Sequence, residues 1–212
     1  MKLNKNLFVS YFGFFLIFTF SVFLNGCKTY TEEEKKYISE IEKKREVKNQ
    51  FMRDDPASPF NARTKVEFKP LKYFDVNPNF VFQSTLTENE VKDTVVIFGT
   101  KGEERNVVRF GFLQFVFENK TYKLNVYEAT AKTGEKHHSI WFTDKTTAEE
   151  TYGVGRYLNF ELNPEKNFVY TIDFNLAFNP YCAYSKDYSC AIPTREDYID
   201  LKIRAGEKTF HN

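Results

Sequence analysis

Residues 107–128 read VVRFGFLQFVFENKTYKLNVYE, in which two runs of apolar and aromatic residues flank a short polar segment. Aromatic and β-branched residues favour strands, and the polar Asn119-Lys120 pair is typical of a tight turn between two strands. Gly111 interrupts the first run, which indicates a β-bulge or a bend. The stretch therefore predicts a long β-hairpin.

Short runs of the same character lie on both sides of this hairpin. They predict further strands over 80–86, 94–98, 138–143, 156–162, 168–174 and 199–203. No helical pattern separates these runs, and no repeat period is present. Strands at this spacing predict a mainly β fold of the α+β class, an antiparallel β-sandwich or open barrel, with one N-terminal helix.

The helix is predicted from a charged segment that precedes the strands. Thr31 and Glu34 have the spacing of a capping box, and the Asp-Asp-Pro sequence at 54–56 ends the helical pattern. The helix has only a thin apolar stripe, so it is either a solvated spacer above a membrane or a helix laid along one edge of the sheet. The predicted organisation is a charged helix over 31–55 and a single β-rich domain over 56–212.

The first residues have the pattern of a lipoprotein export signal. Two lysines precede an uncharged apolar run over 7–24, and Gly26 lies directly before Cys27. A basic start, an apolar centre and a small residue at the cut are the parts of an export signal, and a cysteine after the cut is the residue that accepts lipid. We therefore expect a signal peptide over 1–26 and an acylated Cys27 with a linker over 27–30. The alternative is a transmembrane helix, since the run of 18 residues is near the lower limit for a span.

This interpretation predicts the location and the partners of the mature chain. We expect the protein in the bacterial cell envelope, held through Cys27 in the outer membrane and facing the periplasm or the exterior. Removing 1–26 takes two lysines and no acids, so the formal charge goes from +1 (30 minus 29) to −1 (28 minus 29). A nearly neutral chain is unsuited to nucleic acid, which leaves an unknown small ligand or an envelope protein as the partner.

Two further cysteines, Cys182 and Cys190, are separated by seven residues. In an exported chain an even pair is read first as a disulfide. Zinc sites usually take two ligands two to four residues apart, so a metal pair fits this spacing poorly. Metal binding and free or catalytic thiols stay open as alternatives.

Two longer motifs carry a resemblance to a known family. Residues 151–158 read TYGVGRYL and residues 173–184 read DFNLAFNPYCAY, followed by Cys190 and Pro193. In this order they resemble the bacterial domain of unknown function 1684 family, whose lipoprotein members include short forms like this chain. Longer members carry an extra segment between the helix and the region of Leu71, which is absent here. The family has no established activity, so the resemblance implies a fold and leaves the function open.

Arg156 is the charged residue that follows the glycine turn at 153–155. If its side chain points inward it needs a carboxylate, because an unpaired buried charge is very costly; Asp173 and Glu150 are the candidate partners. The pair is either a structural salt bridge or an anchor for the carboxylate or phosphate of a ligand. The full set of candidate ligand-binding residues is Glu150, Tyr152, Arg156, Asp173, Asn175 and Asn179.

The leading functional hypothesis is a lipid-anchored β domain that binds a small ligand or a partner in the envelope without catalysis. No nucleophile elbow, zinc-protease motif or redox Cys-x-x-Cys is present in the sequence, and no cofactor or metal is expected. The alternative is an envelope hydrolase or lyase with Glu150, Arg156 and Asp173 in one pocket, which requires carboxylates in unlike environments.

Overall fold

The computed structural model describes residues 29–131 and 133–211, so the predicted signal peptide and Cys27 lie outside the described residues. Within these ranges the chain forms one α-helix, nine strands and four short 3₁₀ turns. The helix and strands are α1 (Glu32–Asp54), β1 (Val81–Thr85), β2 (Thr87–Glu88), β3 (Thr94–Phe98), β4 (Glu104–Phe117), β5 (Lys120–Thr130), β6 (Lys136–Asp144), β7 (Arg156–Asn159), β8 (Val169–Asp173) and β9 (Tyr198–Ile199). The 3₁₀ turns cover Pro78–Phe80, Phe174–Leu176, Tyr181–Ala183 and Arg195–Asp197.

The predicted hairpin is the centre of the larger sheet, formed by β4 and β5. Its register shifts between Arg109 and Gly111, so the predicted bulge is present. A Cβ atom on Gly111 would lie 2.5 Å from the carbonyl oxygen of Thr87 in β2. Glycine at this position therefore allows the backbone of β2 to approach β4 closely.

The turn of the hairpin lies one residue earlier than predicted. Phe117 pairs with Lys120, so the turn residues are Glu118 and Asn119, both with positive φ (48° and 62°). Two-residue turns of this conformation match the twist of the strands that they join. β7 and β9 are also shorter than their runs predicted, ending at Asn159 and Ile199.

The strands form two sheets that leave the barrel open. The larger sheet has seven strands in the order β2-β4-β5-β6-β7, with β3 beside β2 on the same edge of β4 and β9 paired with β6. β1 and β8 form the smaller sheet. Among the described strands every pairing is antiparallel except that of β6 with β9. The predicted fold class, a mainly β α+β fold with antiparallel sheets and one helix, is confirmed.

Phe174 joins the two sheets at the centre of the core. It is fully buried at the end of β8. Its ring contacts Phe82 of the smaller sheet at 6.1 Å, and Phe115 and Phe142 of the larger sheet at 5.2 and 5.3 Å between ring centroids. Aromatic pairs at such distances add to the stabilisation that burial provides.

Helix α1 packs against the loops of the β domain and the end of β8, and does not stand apart as a spacer. Its capping box between Thr31 and Glu34 is present, and Ile41, Arg45 and Met52 are its buried residues. The residues from Thr31 onward form one compact unit. No helix in residues 29–131 or 133–211 combines the length and the apolar character that a membrane span requires.

Candidate functional site

Arg156 forms a buried salt bridge, with a partner other than the two predicted. Its Nη2 donates to Oδ2 of Asp144 at 2.6 Å and to the carbonyl oxygen of Ile203 at 2.9 Å, and Nη1 donates to the carbonyl oxygen of Ala205. The prediction of Asp173 or Glu150 as partner is wrong, because β6 and β7 are neighbours and their ends bring Asp144 beside Arg156. Burial lowers the pKa of Arg156, and the Asp144 carboxylate opposes this shift. The fold thus engages both terminal nitrogens of Arg156.

The glycine before Arg156 allows this inward position. Gly155 has a φ of 107°, and a Cβ atom there would lie 2.5 Å from the carbonyl oxygen of Phe142. Both the positive φ and the close approach require glycine. The turn at 153–155 therefore has a structural role, which is to direct the chain into β7.

Glu150 and Tyr152 have partners outside the Arg156 salt bridge. Oε1 of Glu150 accepts a hydrogen bond from Nε of Arg204 at 2.9 Å, in a largely exposed ion pair. The hydroxyl of Tyr152 lies 3.4 Å from the carbonyl oxygen of Cys182. Neither side chain reaches Arg156 through a hydrogen bond or an ion pair among the described residues.

Asp173 and Asn175 bind α1 and the neighbouring loop. Both carboxylate oxygens of Asp173 lie 2.9 Å from the hydroxyl of Tyr37, which donates to this carboxylate. The side chain of Asn175 accepts from the backbone N–H of Asn77 at 2.8 Å and donates to the Asn77 carbonyl at 2.9 Å. These contacts hold α1 and the loop against the end of β8.

The donors of Asn179 are also used in hydrogen bonds within the fold. Its N–H donates to Oε2 of Glu207 at 2.8 Å, and its Nδ2 donates to the carbonyl oxygen of Lys208 at 2.8 Å. The six predicted candidates therefore do not form one site. Glu150, Arg156 and Asp173 have three separate sets of partners, which removes the geometric basis for a shared hydrolytic pocket.

Cys182 and Cys190 are adjacent free thiols in this structure. The N–H of Cys182 donates to Sγ of Cys190 at 3.2 Å. A hydrogen bond from the Cys190 thiol lowers the pKa of Cys182 to about 6, and the same contact raises the pKa of Cys190. Their proximity agrees with the pairing that the sequence predicts, while a bond between the sulfur atoms is not present.

A cleft of about 270 Å³ lies between α1 and the β domain. We call it the helix cleft; the lining residues that matter here are Lys44, Arg45, Lys48, Tyr73, Phe178 and Glu207. A neighbouring cavity of about 270 Å³ shares Arg45 and Tyr73 with it. Of the predicted candidates, only Asn175 borders the helix cleft.

Arg45 has two buried nitrogens that lack a partner among the described residues. Nη1 donates to the carbonyl oxygen of Phe74 at 2.9 Å and lies 3.4 Å from a carboxylate oxygen of Glu42. The guanidinium lies over the ring of Tyr73, at 4.6 Å from its centroid. Nε and Nη2 make no hydrogen bond, and burial lowers the pKa of Arg45. Buried donors without acceptors are costly.

Glu207 supplies the acid of the helix cleft. Its carboxylate is buried, accepts from the N–H of Asn179 and the hydroxyl of Tyr184, and lies 2.6 Å from Nζ of Lys48. The buried hydroxyl of Tyr73 lies beside this carboxylate. Burial, followed by the nearby Glu207, raises the pKa of Tyr73. The cleft thus combines three cationic side chains with one carboxylate that is already paired.

The spacing of residues in α1 indicates this site, although the sequence analysis did not identify it because the residues that matter are charged. Ile41, Arg45, Lys48 and Met52 follow the i, i+4, i+7, i+11 spacing of one helix face. Arg45 and Lys48 therefore lie on the same face as the buried Ile41 and Met52. Cations on the apolar stripe of a helix need partners or a ligand, because an unpaired buried charge is costly.

The comparisons with known proteins concern mainly the β domain. A family model described as a protein of unknown function, DUF1684, matches residues 66–208. The chain belongs to this family. The matched region begins after α1, so it contains the sheet side of the helix cleft and excludes Lys44, Arg45 and Lys48.

One similar solved structure is the solution NMR structure of an uncharacterised protein from Haloarcula marismortui. It is 26% identical, the similarity covers 84% of this chain and 97% of that chain, and the TM-score is 0.60. No curated protein matches the chain. The family and this relative therefore support the fold and assign no activity.

Proposed function

We propose that this family member is a lipid-anchored cell-envelope protein whose domain binds a small ligand in the helix cleft without catalysing a reaction. The observation that carries the binding proposal is the cleft itself, about 270 Å³ in volume. It has an apolar wall at Leu176, Ala177 and Phe178 and convergent polar groups from α1. Small-ligand sites likewise combine apolar walls with placed polar groups that fix the orientation of the ligand.

A ligand that occupies the helix cleft should remain with the protein purified from its own host. Leu176 lines the cleft and is 39% exposed, as is Leu162, which does not line it. We expect mass spectrometry of the denatured protein to find a released small molecule from the wild type and from Leu162→Trp. Leu176→Trp should lose it, because the indole fills the cleft.

Thermal unfolding serves as the control for these two variants, since substitutions at such exposed positions change stability little. A wild type that releases no small molecule would contradict the proposal. Equal retention by Leu176→Trp, with its fold intact, would place the ligand elsewhere and would contradict it as well.

The anchor and the cysteine pair are proposed from the sequence pattern around Cys27 and the contact between Cys182 and Cys190. In the oxidising envelope the two adjacent thiols would form a disulfide. Closing this short loop would stabilise the fold by about 2–3 kcal/mol in the chain-entropy model. The anchor would hold the domain at the outer membrane, where more than one acyl chain is needed for stable attachment.

One intact-mass measurement on non-reduced protein from host membranes tests both features. We expect a chain that begins at Cys27, carries acyl groups and is lighter by the two hydrogens lost in a disulfide. Cys27→Ser should remain unprocessed and without lipid. An unmodified chain that begins at Met1 would refute the anchor, and two free thiols in the native protein would refute the disulfide.

A further inference from the structure

We infer that the helix cleft binds its ligand through an oxyanion group, a carboxylate or a phosphate, held by Arg45. This inference rests on the proposed function and adds the chemical class of the ligand. Arg45 carries five N–H donors in a planar fork, and the fold uses only those on Nη1. Nε and Nη2 share one edge of the guanidinium and point parallel donors in the same direction, which is the arrangement that binds two oxygens of an oxyanion.

The charge of the cleft favours the same class of ligand. Lys44, Arg45 and Lys48 line it together with one acid, Glu207. The Glu207 carboxylate already faces Lys48 at 2.6 Å and accepts hydrogen bonds from Asn179 and Tyr184. An entering negative charge therefore meets Lys44, which has no ion pair among the described residues, and Arg45, which contacts exposed Glu42 at 3.4 Å. An entering cation would meet the Glu207 carboxylate, which Lys48 already pairs.

Tyr73 fixes the orientation of Arg45. Its ring lies under the guanidinium at 4.6 Å, while its hydroxyl lies beside the Glu207 carboxylate. A ligand of this class would satisfy the two buried nitrogens of Arg45 that the fold leaves unpaired.

Entry of the ligand requires a small movement at the mouth of the cleft. The side chain of Arg45 is only 8% exposed, and Nε and Nη2 are covered. Lys44 is exposed and lines the cleft. Its charge therefore lies in the same cleft as the bound oxyanion. The apolar remainder of the ligand would then lie against Leu176 and Phe178.

A set of small aromatic probes with one ring and different head groups tests the inference. Benzoate, phenyl phosphate, benzamide and benzylamine are titrated against the full acylated chain in detergent, and affinity is measured by ligand-observed NMR. We expect benzoate or phenyl phosphate to bind at least tenfold more tightly than benzamide and benzylamine. The better of the two anions identifies the head group as carboxylate or phosphate.

Three variants connect that binding to the helix cleft. Arg45→Lys keeps the charge and loses the fork, so affinity for the anionic probe should fall about tenfold, the effect of one charge-assisted hydrogen bond. Lys44→Met removes the second cation of the cleft, so binding of the anionic probe should weaken while thermal stability is maintained, since Lys44 is exposed. Lys43→Met is the control, since Lys43 is exposed on α1 and does not line the cleft, and its affinity should equal that of the wild type.

The outcomes separate this inference from the proposed function. Benzamide binding as well as benzoate, with loss in Leu176→Trp, would retain a ligand-binding cleft and overturn the oxyanion. Unchanged affinity in both Arg45→Lys and Lys44→Met would also overturn it. Absence of binding by all four probes overturns the inference, and a host-purified protein without ligand overturns the proposed function.

Discussion

Replacing Arg156 by methionine is expected to destabilise the fold by about 3–5 kcal/mol, the usual cost of removing one member of a buried ion pair. The side chains of Arg156 and Asp144 are both excluded from solvent and lie 2.6 Å apart. Without the guanidinium, the Asp144 carboxylate is left as a buried charge that retains only hydrogen bonds such as the one from the N–H of Thr146. The carbonyl oxygens of Ile203 and Ala205 also lose a donor.

Urea unfolding followed by circular dichroism measures this loss. The double variant Arg156→Met with Asp144→Leu serves as the control, because removing both charges avoids the uncompensated carboxylate. Its loss in free energy of unfolding should be smaller than the sum of the losses measured for Arg156→Met and Asp144→Leu alone. A loss below about 1 kcal/mol for Arg156→Met, the range of exposed ion pairs, would contradict the structural role of this salt bridge.

Phe174→Ala is expected to cost about 3–5 kcal/mol of stability, the range observed when a buried aromatic side chain is truncated. The ring of Phe174 contacts Phe82, Phe115 and Phe142, so its removal opens a cavity between the two sheets. The smaller sheet has only two strands, and such a pair depends on packing for its stability. Thermal or urea unfolding of the variant gives the change in free energy.

Phe98→Ala is the matched control for this substitution. Phe98 ends β3 and is 51% exposed, so truncation removes a similar volume without opening a core cavity. We expect its effect to remain near the ±0.5 kcal/mol of ordinary surface substitutions. Equal losses in the two variants would show that Phe174 does not hold the sheets together.

The sequence predicts those parts of the fold that depend on interactions between residues close together in the chain. The β4–β5 hairpin and its bulge at Gly111 follow from alternation, glycine and a polar turn within 22 residues, 107–128. The capping box at Thr31 and Glu34 is a contact across three positions. The turn residue was misplaced by one position because Glu118 carries no turn preference of its own and takes positive φ only in the formed hairpin.

The candidate site could not be predicted in the same way. The buried position of Arg156 followed from the glycine turn, but its partner depends on which strands are neighbours. Phe142 pairs with Arg156 across β6 and β7, and this register brings Asp144 close to Arg156. The two partners predicted from sequence, Asp173 and Glu150, bind elsewhere, and the partner of Asp173 is Tyr37, 136 positions away.

Local pattern was therefore enough for the fold class, the central hairpin, the capped helix and the family. Each of these depends on periodicity, turn residues or short motifs that act over a few positions. The helix cleft depends on long-range packing, in which Arg45 of α1 meets Tyr73 and Lys48 meets Glu207. Packing of α1 against the β domain makes these residues neighbours and leaves two guanidinium nitrogens without partners, because the packed fold brings no acceptor to them.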